Sequence, residues 1–291
     1  MPYNKENDVY RYVRAQEFFT DLDSDAGSRN YTRIENVQLI KEQSDDERGI
    51  THHGKAFRDD NGKICLIEFM RPTMFRLRFN PEYSRLTDYV DGNSRNLVQD
   101  NMKDLIDTLD KFEGVDWKVV TEETADYVKI ESQPVLPSYE GEYHMCIYIR
   151  KKRCKIVAIQ PLKRQVTGET LRLSNEFGDT ALTDAGNDVK IVWATKSNGI
   201  LYSGKTTVVE VEKPGMARYL GFGEQGGRQL LKTKLIVDYF NYDNMTYSQV
   251  YGQGPLDSRE PLYHSEPFWM EIAQHPGHLL KIATFVDNFS Q

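Results

Sequence analysis

The sequence is short of the features that mark several large functional classes. Its three cysteines, Cys65, Cys146 and Cys154, form no Cys-x-x-Cys pair, which excludes a disulfide framework and a cysteine zinc site and fits reduced thiols. No stretch approaches the ~18 consecutive apolar residues of a membrane span, and the N-terminal MPYNKENDVYRYVRAQEFF has no apolar run of signal-peptide length. A cytoplasmic protein is therefore expected. Basic excess is missing too: Lys and Arg total 37 against 44 Asp and Glu, a net charge of −7, which argues against a surface that tracks nucleic-acid phosphates. The six histidines show neither H-x-x-x-H nor HExxH spacing, and no G-x-S-x-G nucleophile elbow occurs. No metal and no cofactor are expected.

What is present is a soluble composition, 39% hydrophobic and 28% charged, long enough for one large β-domain or two smaller ones. Residues 1–49 are polar and acidic, and residues 50–291 carry the patterned part of the chain. In MFRLRF, Phe75, Leu77 and Phe79 fall on one face and Arg76 and Arg78 on the other, the alternation of a half-buried strand. Tyr143, Met145, Ile147 and Ile149 repeat it, as do Thr207, Val209 and Val211. Turn signals such as Asp60-Asn-Gly62 and Asp91-Gly-Asn93 separate these runs, and Lys151–Lys155 reads as one end of a hairpin. The fold class is mainly β: a two-sheet antiparallel β-sandwich with one amphipathic helix, the latter from Val98, Met102, Leu105, Ile106, Leu109 and Phe112, ended by Gly114.

Three motifs tempt a more specific chemistry. Gly199-Ile-Leu-Tyr-Ser-Gly-Lys-Thr206 satisfies the phosphate-loop pattern letter for letter, but that loop needs a helix behind it, and Thr207-Val-Val-Glu-Val211 alternates as a strand. A hairpin with Gly204 at its turn accounts for the same letters. Asp21, Asp23 and Asp25 suggest calcium, yet the EF-hand positions for Gly and Glu hold Ala26 and Thr32, so a solvated loop is expected. Gly221-Phe-Gly-Glu-Gln-Gly-Gly227 reads either as a phosphate-binding glycine loop or as a strand end and tight turn, with Glu224 touching ligand or anchoring the turn.

The densest feature is Asp238–Trp269, with eight aromatics in 32 residues set among Asn, Asp, Arg, Gln and Gly. Aromatic faces beside carboxylates and amides suit sugar rings, which offer C–H patches edged with hydroxyls. The same aromatics also suit the core of a β-protein. FNYDNMTY (Phe240–Tyr247), QGPLDSREPLYHSEPFW (Gln253–Trp269) and TFVDNFSQ (Thr284–Gln291), with KPGMARYLGFGEQGG, RPTMFRLRFNPEY and RNLVQDNM upstream, resemble the N-terminal β-sandwich of family-31 glycoside hydrolases, most closely fungal α-1,4-glucan lyases. The resemblance spans most of the chain from about Gly54 and implies a galactose-mutarotase-like sandwich.

In that family the catalytic carboxylates lie on a (β/α)8 barrel behind the sandwich, and no barrel fits within this sequence, since a barrel alone takes about 250 residues. The resemblance therefore implies a carbohydrate-binding protein without catalysis, a lectin in its most concrete form. It also leaves a β-edge to be covered by a second copy, hence a homo-oligomer. It makes Tyr242, Asp243, Asn244, Tyr247, Asp257 and Arg259 the positions to suspect for sugar contact. Asp243, Asp257, Glu260 and Glu266 supply carboxylates in the same stretch; hydrolysis would need two of them about 5 Å apart for retention or about 6.5–9.5 Å for inversion. The alternative is the N-terminal part of a glucan lyase or α-glucosidase that needs a separate barrel.

Overall fold

The computed structural model describes residues 31–41, 53–89, 111–112, 115–134, 145–161, 189–213, 217–225, 231, 261–275 and 278–286. The chain divides into two compact units, Tyr31–Glu212, and Met1–Asn30 together with Lys213–Gln291.

The first unit is a sandwich of two antiparallel sheets. An eight-stranded sheet runs in the order β1 (Thr32–Arg33), β11 (Val189–Ser203), β10 (Lys155–Pro161), β9 (Met145–Arg150), β8 (Tyr127–Pro134), β7 (Val115–Glu123) and β6 (Lys111–Phe112), with β12 (Thr206–Val211) also paired to β11. A four-stranded sheet runs β2 (Gln38–Leu39), β3 (Gly54–Arg58), β4 (Ile64–Arg71) and β5 (Met74–Phe79). Val128, Ile130, Ile147, Ile149 and Ile156 from the large sheet meet Phe57, Cys65, Ile67 and Phe69 from the small one in a shared buried core. Each such side chain contributes roughly 1.5–3 kcal/mol by leaving water.

Strand β4 is buried almost end to end because it serves two cores. Cys65, Ile67 and Phe69 point into the sandwich, while Ile64 and Leu66 join Ala56, Leu86 and Tyr89 on the opposite face. A 3-10 turn at Leu86–Tyr89 closes this outer cluster. The Asp88 carboxylate holds the turn by accepting from the amides of Arg85 at 2.9 Å and Ser84 at 3.1 Å. The Tyr89 hydroxyl donates to the carbonyl of Ile64 at 2.7 Å and accepts from the Asn80 amide at 3.1 Å, tying the turn to the sheet.

Strand β5 has the predicted alternation. Phe75, Leu77 and Phe79 pack on the sandwich core, whereas Arg76 turns to Glu68, donating at 2.9 and 3.1 Å, and Arg78 donates to the Tyr89 carbonyl at 2.8 Å. The Lys151–Lys155 run lies at the β9–β10 turn, where Lys155 pairs with Arg150. The turn before β4 is built on Asp59, whose carboxylate accepts from the amides of Asn61 at 2.9 Å and Lys63 at 2.7 Å, with Gly62 at φ 78°. Gly199–Thr206 is the end of β11 and the turn into β12. Ser203 pairs with Thr206, and Gly204 sits between them at φ 55°, the position that a two-residue hairpin reserves for glycine.

Two expectations are corrected. The amphipathic helix is not seen: its last members, Lys111 and Phe112, form β6 and pair with Asp116 and Val115, while residues 98–110 lie outside the described residues. Gly114, expected to end the helix, lies outside the described residues, and strand pairing at Lys111 and Phe112 overrides the helical spacing. On β12 the buried residue is Val208, 8% exposed, whereas Val209 and Val211 are 39% and 38% exposed. Pairing with Leu201, in the register that the two-residue turn between Ser203 and Thr206 sets, turns Val208 inward, so the alternation is present but on the opposite face.

Candidate functional site

The described part of the second unit is a three-stranded antiparallel sheet, β13 (Arg218–Gln225), β14 (Pro261–His275) and β15 (His278–Phe285). Strands β14 and β15 form a hairpin in which His275 pairs with His278 across residues 276–277. Strands β13 and β14 pair along their length, from Arg218 opposite Ile272 to Gln225 opposite Pro261. The residues that flank 226–260, Gln225 and Pro261, thus pair with each other at the base of that stretch. All six residues suspected of sugar contact, Tyr242, Asp243, Asn244, Tyr247, Asp257 and Arg259, belong to it and lie outside the described residues, as do Asp91–Asn93 and Tyr143.

The base itself is irregular. Gly221 faces Trp269, Gly223 faces Ser265 and Gln225 faces Pro261, so β14 advances four residues for each two on β13. Gly221, Phe222 and Gly223 all have positive φ, at 114°, 72° and 71°. For Phe222 this is an uncommon backbone state that costs of order 1–3 kcal/mol unless its surroundings enforce it. They do: its ring stacks on Trp269 with centroids 5.7 Å apart and planes 12° from parallel. Gly221 admits no side chain, because a Cβ would come within 2.6 Å of the Phe268 carbonyl oxygen. Gly221–Gln225 are thus strand with an irregular register, the strand part of the second reading given to these letters, and Gly226 and Gly227, where that reading puts the turn, lie outside the described residues. Phe222 and Trp269 were missed as a pair, although a large residue between two glycines was the available signal.

Further along the pair, Tyr219 faces Glu271. Burial, together with the hydrogen bond and negative charge of Glu271, holds the Tyr219 phenol well above its ordinary pKa. The Lys213 ammonium stands 5.3 Å above the Tyr219 ring. Of the four carboxylates considered for acid–base work only Glu266 is described. It is exposed, with the His264 Nε2 at 3.9 Å.

Other sequence candidates take structural places. His53 is buried in the first unit and stacks on Trp117 at 4.6 Å. Cys65, Cys146 and Cys154 are buried and form no disulfide. Among the described residues no group of three His, Cys, Asp or Glu side chains is arranged to hold a metal, and no helix is long and apolar enough to cross a membrane.

Residues 65–291 match the model of the glycosyl hydrolase 31 N-terminal galactose mutarotase-like domain. The chain belongs to that family. Two solved structures of a family-31 dextranase from Flavobacterium johnsoniae, a mutant with isomaltotriose and a complex with glucose, are similar at 12% identity, with TM-scores of 0.45 and 0.44. Each covers 82% of this chain, which spans only 21% of the dextranase. No curated protein matches. The family-31 N-terminal domain identified here is the sandwich that the resemblance implied.

Proposed function

We propose that this family-31 N-terminal domain is a carbohydrate-binding module that acts without catalysis, a lectin built on a glycosidase accessory fold. The observation that supports the reading is the pairing of Gln225 with Pro261, which joins the two ends of the 226–260 stretch, itself rich in aromatic, amide and charged residues. In the proposed site, Tyr242 and Tyr247 supply faces for a sugar ring, Asp243 and Asn244 accept and donate hydrogen bonds to hydroxyls, and Asp257 and Arg259 fix orientation. One such stretch forms one wall, so little ligand surface is buried. Affinity for a mono- or disaccharide falls roughly in the millimolar to micromolar range, and useful avidity calls for a homo-oligomer. Calorimetric titration of the chain and of its Asp243→Ala and Arg259→Ala variants with maltose and glucose tests the assignment. Binding in the parent that is lost in both variants supports it, and unaltered binding moves the site.

The second reading, a component of a larger glucan-active enzyme, is favoured by the match to a domain that is the N-terminal part of glycosyl hydrolases. Glucan turnover that appears only when a barrel-bearing polypeptide is added would select it.

A further inference from the structure

The β9–β10 turn and the middle of β11 are tied together in the first unit. Arg150 ends β9, and one of its terminal nitrogens donates to the Ser197 hydroxyl at 2.6 Å and to the Arg153 carbonyl at 3.1 Å. The amide of Asn198, next to Ser197, donates to the Cys154 carbonyl at 2.8 Å. Two buried polar atoms here have no hydrogen-bond partner among the described residues: Arg150 Nε, a donor, and Asn198 Oδ1, an acceptor. Both residues are themselves half-buried, so the two atoms lie under a partly open surface. Arg150 also meets no carboxylate among the described residues. Glu123 is held by Lys41 and Lys151, Glu212 by Lys155, Glu210 by Arg33 and Lys196, and Glu35 accepts from Asn198 Nδ2. Burial and then the charge of Arg153 lower the Arg150 pKa, as befits a cation short of negative charge.

A buried donor or acceptor without a partner is unfavourable, and a buried charge without one more so. The missing partner must therefore be anionic at one oxygen, for Arg150, and carry a hydroxyl at another, for Asn198. Bare sulfate supplies only the first and a neutral sugar only the second. We propose that Arg150, Ser197 and Asn198 form a site for an acidic saccharide, a uronate whose carboxylate accepts from Arg150 Nε and whose ring hydroxyl donates to Asn198 Oδ1. The Ser197 hydroxyl, which accepts from Arg150, keeps its own proton for the same ligand. Lys152 and Arg153, both exposed on the turn, add positive charge to the approach. The choice of a sugar rests on the carbohydrate-binding reading, but the site does not: it belongs to the first unit, and residues 226–260 belong to the second.

Titration of the full chain with D-glucuronate, D-glucose and sodium sulfate at one ionic strength, followed by 1H–15N spectroscopy, tests this. The Arg150 Nε–H signal is assigned by its absence from Arg150→Lys. It should shift saturably with glucuronate, about tenfold more tightly than with glucose or sulfate, and should do the same in Asp243→Ala. No shift with glucuronate, or one as tight with glucose or with sulfate, would overturn the proposal. These readings need no substitution at the site, so a variant that fails to fold does not remove the test. Calorimetry gives a second measure: Arg150→Gln should weaken glucuronate binding about tenfold, and unaltered binding would also overturn it. An Arg150 shift with glucuronate in a chain that binds no maltose would leave this site standing and count only against the assignment to residues 226–260.

Discussion

Phe222 is held in a left-handed backbone conformation against the face of Trp269, its ring 5.7 Å away and nearly parallel. The stack lies at the irregular stretch of the β13–β14 pairing. Phe222→Ala removes a nearly buried ring and leaves the backbone strain uncompensated. A loss of about 3–5 kcal/mol is expected, measured by urea unfolding with an unchanged m-value. Gly221→Ala should also destabilise, by at least about 1 kcal/mol, since it adds a Cβ against the Phe268 carbonyl at φ 114°.

Glu68 is a buried carboxylate that accepts two hydrogen bonds from Arg76 and has the Arg78 guanidinium at 3.7 Å. Glu68→Ala leaves two partly buried cations without their counter-charge. The expected cost is about 3–5 kcal/mol by denaturant unfolding, far more than removal of an exposed pair such as Lys205–Glu82.

Gly204 and Lys205 make a hairpin turn and no phosphate cradle. Millimolar Mg-ATP or Mg-GTP should leave the thermal midpoint unchanged, and Lys205→Ala should be silent in the same assay. Gly204→Val should lower the midpoint by several degrees, because a β-branched residue is strained at φ 55°.

Two titrations give opposite pH limbs. Hydrogen bonds from Lys151 and then Lys41 lower the Glu123 pKa below its ordinary value. Its contribution is therefore present above the unfolded carboxylate pKa and is lost as pH falls through the lowered folded value; Glu123→Gln should flatten the acid limb of stability. Burial pushes the Cys154 thiol up to about 12 and raises Cys65 and Cys146 as well. That stability is complete below the unfolded thiol pKa of about 8.5 and is lost as pH rises toward the folded values. Iodoacetamide at pH 8 should label none of the three thiols in the native protein and all three in urea, read by mass spectrometry.

The strands were legible where alternation met a one-sided environment. β5 keeps its phenylalanines inward and its arginines outward because only one of its faces meets the sandwich core, and Gly204 was readable because a two-residue hairpin leaves few alternatives to glycine. The Val208 register was not, because five of the six residues of β12 are β-branched and either phase offers an apolar side chain, so the choice falls to the pairing with Leu201 in the partner strand β11. The helical spacing through Phe112 failed for a different reason: a local strand pairing of Lys111 and Phe112 with Asp116 and Val115 outweighs the helical period at its end. For the site, composition pointed to the stretch after Asp238, but the pairing that closes its base depends on residues 36 positions apart, Gln225 and Pro261, and no local pattern encodes that.

The most direct test of the carbohydrate-binding reading is a glycan-array screen of the purified chain, with α-glucan hydrolysis and lyase turnover followed on the same sample. The account predicts selective retention of a defined glycan class with no turnover, and loss of that retention in the Asp243→Ala and Arg259→Ala variants. A chain that retains no glycan, or that turns over α-glucan unaided, would contradict it.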